Sequence, residues 1–264
     1  MSELRAALAD ALGPLYRIER EVRPVGEYRL FVATQSQNGT ELLIKVLPAA
    51  LSLGINDLQF ERAVLMMGEK LHHPNLVRTR GAGRAGSFVY HTRPFVAGTT
   101  LRAWLQNNRS VPLARAVEIL RSVLGALAHV HAAQLAHGDL RTENVLLAEG
   151  RTVLADAGIV GAVGRSLTAG SPTAASAALC APAYLAPGRP EGDEPATPRD
   201  DMFAVGVLVH EMLTGRQPLP DSEPLEQGRV LPPWLPELLR RCQVAKPAGR
   251  WTDAGEALAA IRRS

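Results

Sequence analysis

The stretch HGDLRTENVLL, residues 137–147, packs Asp139, Arg141 and Asn144 just ahead of an apolar run. A carboxylate, a guanidinium and a carboxamide this close can orient an attacking hydroxyl and hold phosphate or a hard metal ion. The same residues also suit an ordinary polar turn before a strand. Lys45 is the second candidate. Only three lysines occur (Lys45, Lys70, Lys246), every other basic residue being arginine, and Lys45 sits in the strand-like run ELLIKVLP. A compact ammonium kept where arginine is the habit suits a phosphate pair in a tight cleft, although a lysine snorkelling from a strand edge gives the same pattern. Asp156, in RTVLADAG, ends another strand-like run.

These residues need elements to position them. Residues 3–12 read as a short amphipathic helix (Leu4, Leu8, Leu12) stopped by Gly13-Pro14. YRIEREV, EYRLFVAT and ELLIKVL alternate like antiparallel strands, with turns near 24–26 and 37–39. A helix is expected over about 56–71, then two strands, LVRTRG and SFVYHT, split by the turn AGRAG. From Thr100 the pattern is helical, with one long buried helix over 112–134 ending just before the quoted loop. A strand pair, NVLLAEG and RTVLADAG, leads into a long loop containing the small-residue run GSPTAASAA. TPRDDMFAVGVLVHEMLTG then has the Thr-Pro start and Gly stop of a helix, and WLPELLRRC and DAGEALAAIRR follow.

Composition bounds the function. The 264 residues suit one large domain or two packed lobes, and a hydrophobic share of 46% is ordinary for a globular chain. A net charge of +3, evenly spread, does not argue for nucleic acid. No window offers a membrane span, MSELRAALAD lacks a signal pattern, and Cys180 and Cys242 make neither a disulfide framework nor a metal site. A cytoplasmic compartment is expected.

Seven segments in order resemble the protein kinase family across nearly the whole chain: IK at 44–45, HHPNLV at 72–77, HGDLRTEN, ADAG at 155–158, APAYLAP at 181–187, DMFAVGVLVHEMLTG, and CQVAKPAGRW carrying Arg250. HGDLRTEN is the Gly-second version frequent in bacterial Ser/Thr kinases. The resemblance implies an α+β, two-lobed protein kinase-like fold. A small β-rich N-lobe with one main helix (14–97) would precede a larger, mostly helical C-lobe (98–264), with residues 1–13 as an added helix.

By the same resemblance Asp139 orients the attacking hydroxyl, Lys45 pairs with the α/β-phosphates, Arg141 steadies the transferring group, and Asn144 and Asp156 hold Mg2+. ATP would lie against RPFVAG, with the Pro94 carbonyl and Val96 N–H meeting adenine, Val22, Leu30 and Leu43 above and Leu146 below. Gly26 would remain at the phosphates. His137 would tie the loop down through hydrogen bonds. A protein substrate or signalling partner and a nucleotide are the implied partners.

The departures define the alternatives. Arg23, Val25 and Tyr28 stand where the family has three glycines, and a Cβ keeps backbone N–H groups from phosphate oxygens. Losing one or two such bonds, at about 1.5–3 kcal/mol each, weakens nucleotide binding roughly tenfold to a thousandfold, which Arg23 or Arg29 could partly offset. Ala63 or Val64 replaces the glutamate that should orient Lys45, with Glu61 or Glu69 as stand-ins. Leu43 narrows the adenine site, and Arg93 falls at its back wall. Ala181 replaces a threonine. Gly188 replaces the acid expected to pair with Arg250, with Glu191 as substitute. Gly138 removes the arginine that reads a phosphorylated loop, so phosphorylation of Ser166, Thr168, Ser171 or Thr173 is not expected to be a strict switch. The retained set favours an ATP-binding kinase-like protein with attenuated transfer. A pseudokinase scaffold and a small-molecule phosphotransferase are the alternatives.

Overall fold

The computed structural model describes residues 3–168, 172–188, 195–218 and 230–263. The first lobe is a five-stranded antiparallel sheet in the order β1-β2-β3-β5-β4. Its strands are β1 (Tyr16–Val25), β2 (Tyr28–Gln35), β3 (Glu41–Val46), β4 (Gly81–Ala85) and β5 (Phe88–Pro94). Helix α1 (Glu3–Leu12) packs Leu4 and Leu8 against Phe31, Ile44 and Val46 on the outer sheet face. Helices α2 (Ala49–Gly54) and α3 (Asp57–Lys70) connect β3 to β4, and Phe60, Val64 and Met67 of α3 pack with Leu30, Val32 and Leu43 on the inner face.

Period-two alternation decides which side chains face the cleft. Ile44 and Val46 join the outer core, so Leu43 and Lys45 point inward. Residues directly paired across strands share a face. Leu43 is opposite Arg93, and Lys45 is opposite both His91 and Leu30. Tyr28, two residues before Leu30, therefore also faces inward.

The sequence pattern misplaced one hairpin. β4 begins at Gly81, so AGRAG is mostly strand rather than turn, and the true turn is Gly86-Ser87 between Ala85 and Phe88. Gly86 has φ +58, the conformation a two-residue hairpin requires. The β1–β2 turn is built the same way, with Gly26 at φ +55.

The second lobe is mostly helical. β6 (Gly98–Thr100) leads to α4 (Leu101–Asn108) and α5 (Leu113–Ala132); β7 (Val145–Ala148) and β8 (Arg151–Leu154) form a small sheet with β6. Helix α5 buries Ala116, Ile119, Leu120, Val123, Leu124, Leu127 and Val130, the stripe expected of a core helix. The long loop holds two helices that its small residues did not announce, α6 (Ile159–Ser166) and α7 (Pro172–Leu179). Helix α8 (Pro198–Thr214) is buried along most of its length. A capping box between Thr197 and Asp200 starts it, and Gly215 at φ +75 stops it. Helices α9 (Leu235–Cys242) and α10 (Ala254–Arg263) complete the lobe. Among the described residues no helix is long and apolar enough to cross a membrane.

Candidate active site

The loop between α5 and β7 is held from below by one buried acid. Asp201, in the first turn of α8, accepts the His137 N–H at 2.6 Å and the Gly138 N–H at 2.9 Å, and its Oδ2 lies 2.9 Å from His131 Nε2. Burial alone would raise its pKa, but its bond with His131 and the nearby His137 hold it below the usual range. The Ala254 N–H donates to His131 Nδ1, so His131 carries its proton on Nε2 and donates to Asp201. His137 is fully buried and works likewise, with Nδ1 accepting from the Asp139 N–H and Nε2 donating to the Ala155 carbonyl at 2.9 Å. The ring ties the loop to the strand end, as the sequence suggests.

Above this support Asn144 donates from Nδ2 to the Asp139 carbonyl (2.7 Å) and to Oδ2 (2.9 Å). Arg141 Nε lies 3.6 Å from Asp139 Oδ1. All three side chains are buried. Burial pushes the Asp139 carboxyl up, against the pull of Arg141 and Lys45. Arg141 Nε and Nη2 have no hydrogen-bond partner among the described residues, two orphaned donors beside a carboxylate. Gly26 lies directly over them, since a Cβ on it would sit 3.2 Å from Arg141 Nη2.

The rear of the site departs from expectation. Lys45 Nζ donates to Asp156 Oδ2 at 2.8 Å, not to Glu61 or Glu69 of α3. Glu69 is exposed and Glu61 half-buried; α3 presents Val64 to the core instead. Arg93 supplies a second cation, its Nε 3.2 Å from Asp156 Oδ1, an ion pair in which neither atom has a hydrogen-bond partner among the described residues, and its Nη1 donating to the Pro94 carbonyl at 3.3 Å. Burial would raise the Asp156 carboxyl, but Lys45 and Arg93 outweigh it and hold it far below the usual range. Asp156 adopts φ +64, a turn conformation aspartate tolerates better than most residues. Tyr28 fills the last glycine position. Its ring centroid is 4.0 Å from Lys45 Nζ, and burial, with Asp139 nearby, pushes its hydroxyl well above the ordinary value. Beneath Lys45, burial lowers His91 to about 4, and among the described residues neither of its nitrogens has a hydrogen-bond partner.

In front of these groups an open cleft of about 660 Å³ separates the lobes. Val22, Gly26, Leu30, Leu43, Lys45, Val96, Asn144, Leu146 and Asp156 all line it. Asp139 and Arg141 sit under the Gly26 turn rather than on the lining, and Pro94 is also off it, its carbonyl already engaged by Arg93. Arg29 turns away to a bidentate pair with Glu21, while Arg23 reaches Gln106 of α4 at 3.5 Å. Sequence reasoning missed the Arg93–Asp156 pair and the Tyr28–Lys45 stack. The usable signals were an arginine inside the apolar strand FVYHTRPF and an aromatic at a glycine position.

The segment after Asp156 is fastened to the first lobe. Helix α6 packs on α3, the Asn56 N–H donates to the Ser166 carbonyl, and the Thr168 N–H donates to the Gly54 carbonyl, both at 2.8 Å. Ser166 is buried with its hydroxyl on the Ala162 carbonyl, and the Thr168 hydroxyl donates to Gly54. Ser171 and the Thr173 side chain lie outside the described residues, as does Glu191. Arg250 is met instead by Asp200 Oδ1 at 3.4 Å and by the carbonyls of Val244, Ala245 and Pro187.

Known proteins resemble this chain in sequence and in fold. The serine/threonine-protein kinase PknL of Mycobacterium bovis is 30% identical over 95% of this chain and 65% of its own length. The probable serine/threonine-protein kinase PknB of Lactococcus lactis is 31% identical over 77% of this chain and 32% of its own. The chain thus spans from a third to two-thirds of these relatives. The Mycobacterium tuberculosis PknI kinase domain superposes with a TM-score of 0.70 at 22% identity, covering 95% of this chain and 96% of that one, a likeness of fold. The protein kinase domain family matches residues 29–252, and the chain belongs to that family.

Proposed function

We propose that the interlobe cleft binds ATP and that the chain passes the terminal phosphoryl group to a serine or threonine hydroxyl of a protein, at an attenuated rate and in the cytoplasm. The observation carrying this reading is the buried Asp139–Arg141–Asn144 cluster beside an open, apolar-walled cleft. Asp139 orients the attacking hydroxyl and takes its proton late in the transfer. The orphaned Arg141 donors, beneath the Gly26 turn and beside Asp139, are spare positive charge for the moving group. Lys45 neutralises phosphate oxygens from the roof. Adenine lies between Leu43 and Leu146, with the Val96 backbone at its edge. Attenuation follows from the roof: Arg23, Val25 and Tyr28 stand at the three glycine positions and only Gly26 remains in the turn, so fewer backbone N–H groups approach the phosphates.

The divalent ion usual in this family fits the site only in part. Asn144 spends its NH2 on Asp139, which leaves its carbonyl oxygen for a hard cation. Asp156 does not fit, because each of its oxygens already faces a cation at 2.8 or 3.2 Å in a buried setting.

A second reading, a kinase-shaped interaction module, is favoured by the same rear contacts, since Lys45 is already paired with Asp156. The likeness to serine/threonine-protein kinases gives no support to a small-molecule substrate. Incubation with γ-labelled ATP and a generic basic protein separates the readings. Label on the protein that disappears with Asp139→Asn supports transfer; equal background label from both proteins favours the module.

A further inference from the structure

The lining of the cleft contains Arg20, Arg23, Lys45, Arg93 and Arg102, against Glu143 and Asp156. Arg102 is paired with Glu143 and with Glu211 outside the lining, which leaves Arg20, Arg23, Lys45 and Arg93 against Asp156, a surplus of positive charge before any ligand enters. At the rear the surplus is local. Lys45 and Arg93 share the single carboxylate of Asp156, and no glutamate of α3 comes forward to balance the second cation.

A divalent ion placed at Asp156 would have to take Oδ2 from Lys45 or sit at Oδ1 within reach of Arg93, two positive groups close to a third. A triphosphate arriving alone meets the opposite situation. Its oxygens can take Lys45 Nζ from the carboxylate while Arg93 keeps Asp156 neutralised, so no buried charge is left bare. Arginine suits that post because its planar fork is weakly hydrated and stays charged when buried. Arg93 also spans the back wall, from the Pro94 carbonyl to Asp156, which holds it in place without a ligand.

We propose that this cleft takes the polyphosphate of a nucleotide without a divalent metal ion, with Lys45 supplying positive charge to the phosphates and Arg93 holding Asp156 neutralised where the ion would otherwise sit. The proposal rests on the nucleotide-binding reading above. It makes Arg93 a determinant of metal dependence rather than a blocked back wall.

The test is calorimetric titration of the full chain with ATP, once in EDTA and once in magnesium chloride. The expected result is binding in EDTA at least as tight as in magnesium. Arg93→Leu leaves Asp156 to compete with phosphate for Lys45, so it should then weaken binding in EDTA by about tenfold to a hundredfold and shift the preference toward magnesium. Binding seen only with magnesium overturns the proposal and leaves the nucleotide reading standing. Binding in neither condition overturns both. Should Arg93→Leu not fold, the wild-type contrast still decides, and Arg93→Lys, which keeps the charge but not the fork, should retain binding in EDTA.

Discussion

On the lower face of the cleft, Asp139, Asn144 and His137 are fixed by hydrogen bonds that run to one buried acid in α8, each with a defined donor and acceptor. On the upper face, Tyr28, Leu43 and Arg93 are held by strand register and packing, and three positions have changed chemical type without disturbing the sheet. A hydrogen-bonded floor cannot change one member without stranding another, because a buried polar group left unpaired is costly. A packed roof exchanges residues as long as volume and face are kept. The floor therefore keeps the groups that the proposed phosphoryl transfer needs, while the roof holds charge in a different way from the one the family resemblance implies.

The largest expected effect strikes the floor. Asp201→Ala removes the acceptor of two backbone N–H groups and a histidine and should cost about 3–5 kcal/mol of unfolding free energy by urea denaturation. A loss under 1 kcal/mol would mean that the floor is packed rather than hydrogen-bonded.

The roof should answer to pH instead. His91 has its folded pKa lowered to about 4 from an unfolded value near 6.5. The unfolded chain therefore binds the extra proton first, and stability should fall as pH drops from 6.5 to 4, by up to about 3 kcal/mol. His91→Leu should flatten that part of the profile. The depressed Asp156 and Asp201 act in the same direction only lower, their contribution present above about pH 4 and lost as pH falls further.

A smaller effect is expected where the faces meet. Gly26→Ala asks a side chain to adopt φ +55 and to press on Arg141, and should destabilise by about 1–2 kcal/mol. An unchanged melting temperature would show that the turn does not rest on the floor. Least of all should come from Arg29→Ala. Its pair with Glu21 is exposed, and the change should stay within about 0.5 kcal/mol without altering ATP affinity.

How far the sequence told this story differs between the same two regions. The floor was legible because its polar residues sit within one short stretch and its supporting helix carries its own start and stop residues, Thr197 and Gly215. The strands were legible through alternation, which also put Lys45 on the inner face. What alternation could not supply was partners across the sheet. Arg93 meets Asp156, 63 positions away, only because β5 lies beside β3 and the Asp156 turn rises to meet them. Helix α7 was missed because its small residues carry weak periodicity, and α6, IVGAVGRS, because its glycines and β-branched residues are poor helix formers; α6 is held by packing on α3 rather than by propensity.

The central claim is that the cleft grips a nucleotide through Lys45 above an intact floor, and thermal denaturation with millimolar ATP tests it most directly. The account predicts a melting temperature raised by ATP in the wild type, with the rise abolished in Lys45→Met. A wild type indifferent to ATP, or a rise that survives the loss of Lys45, would contradict it.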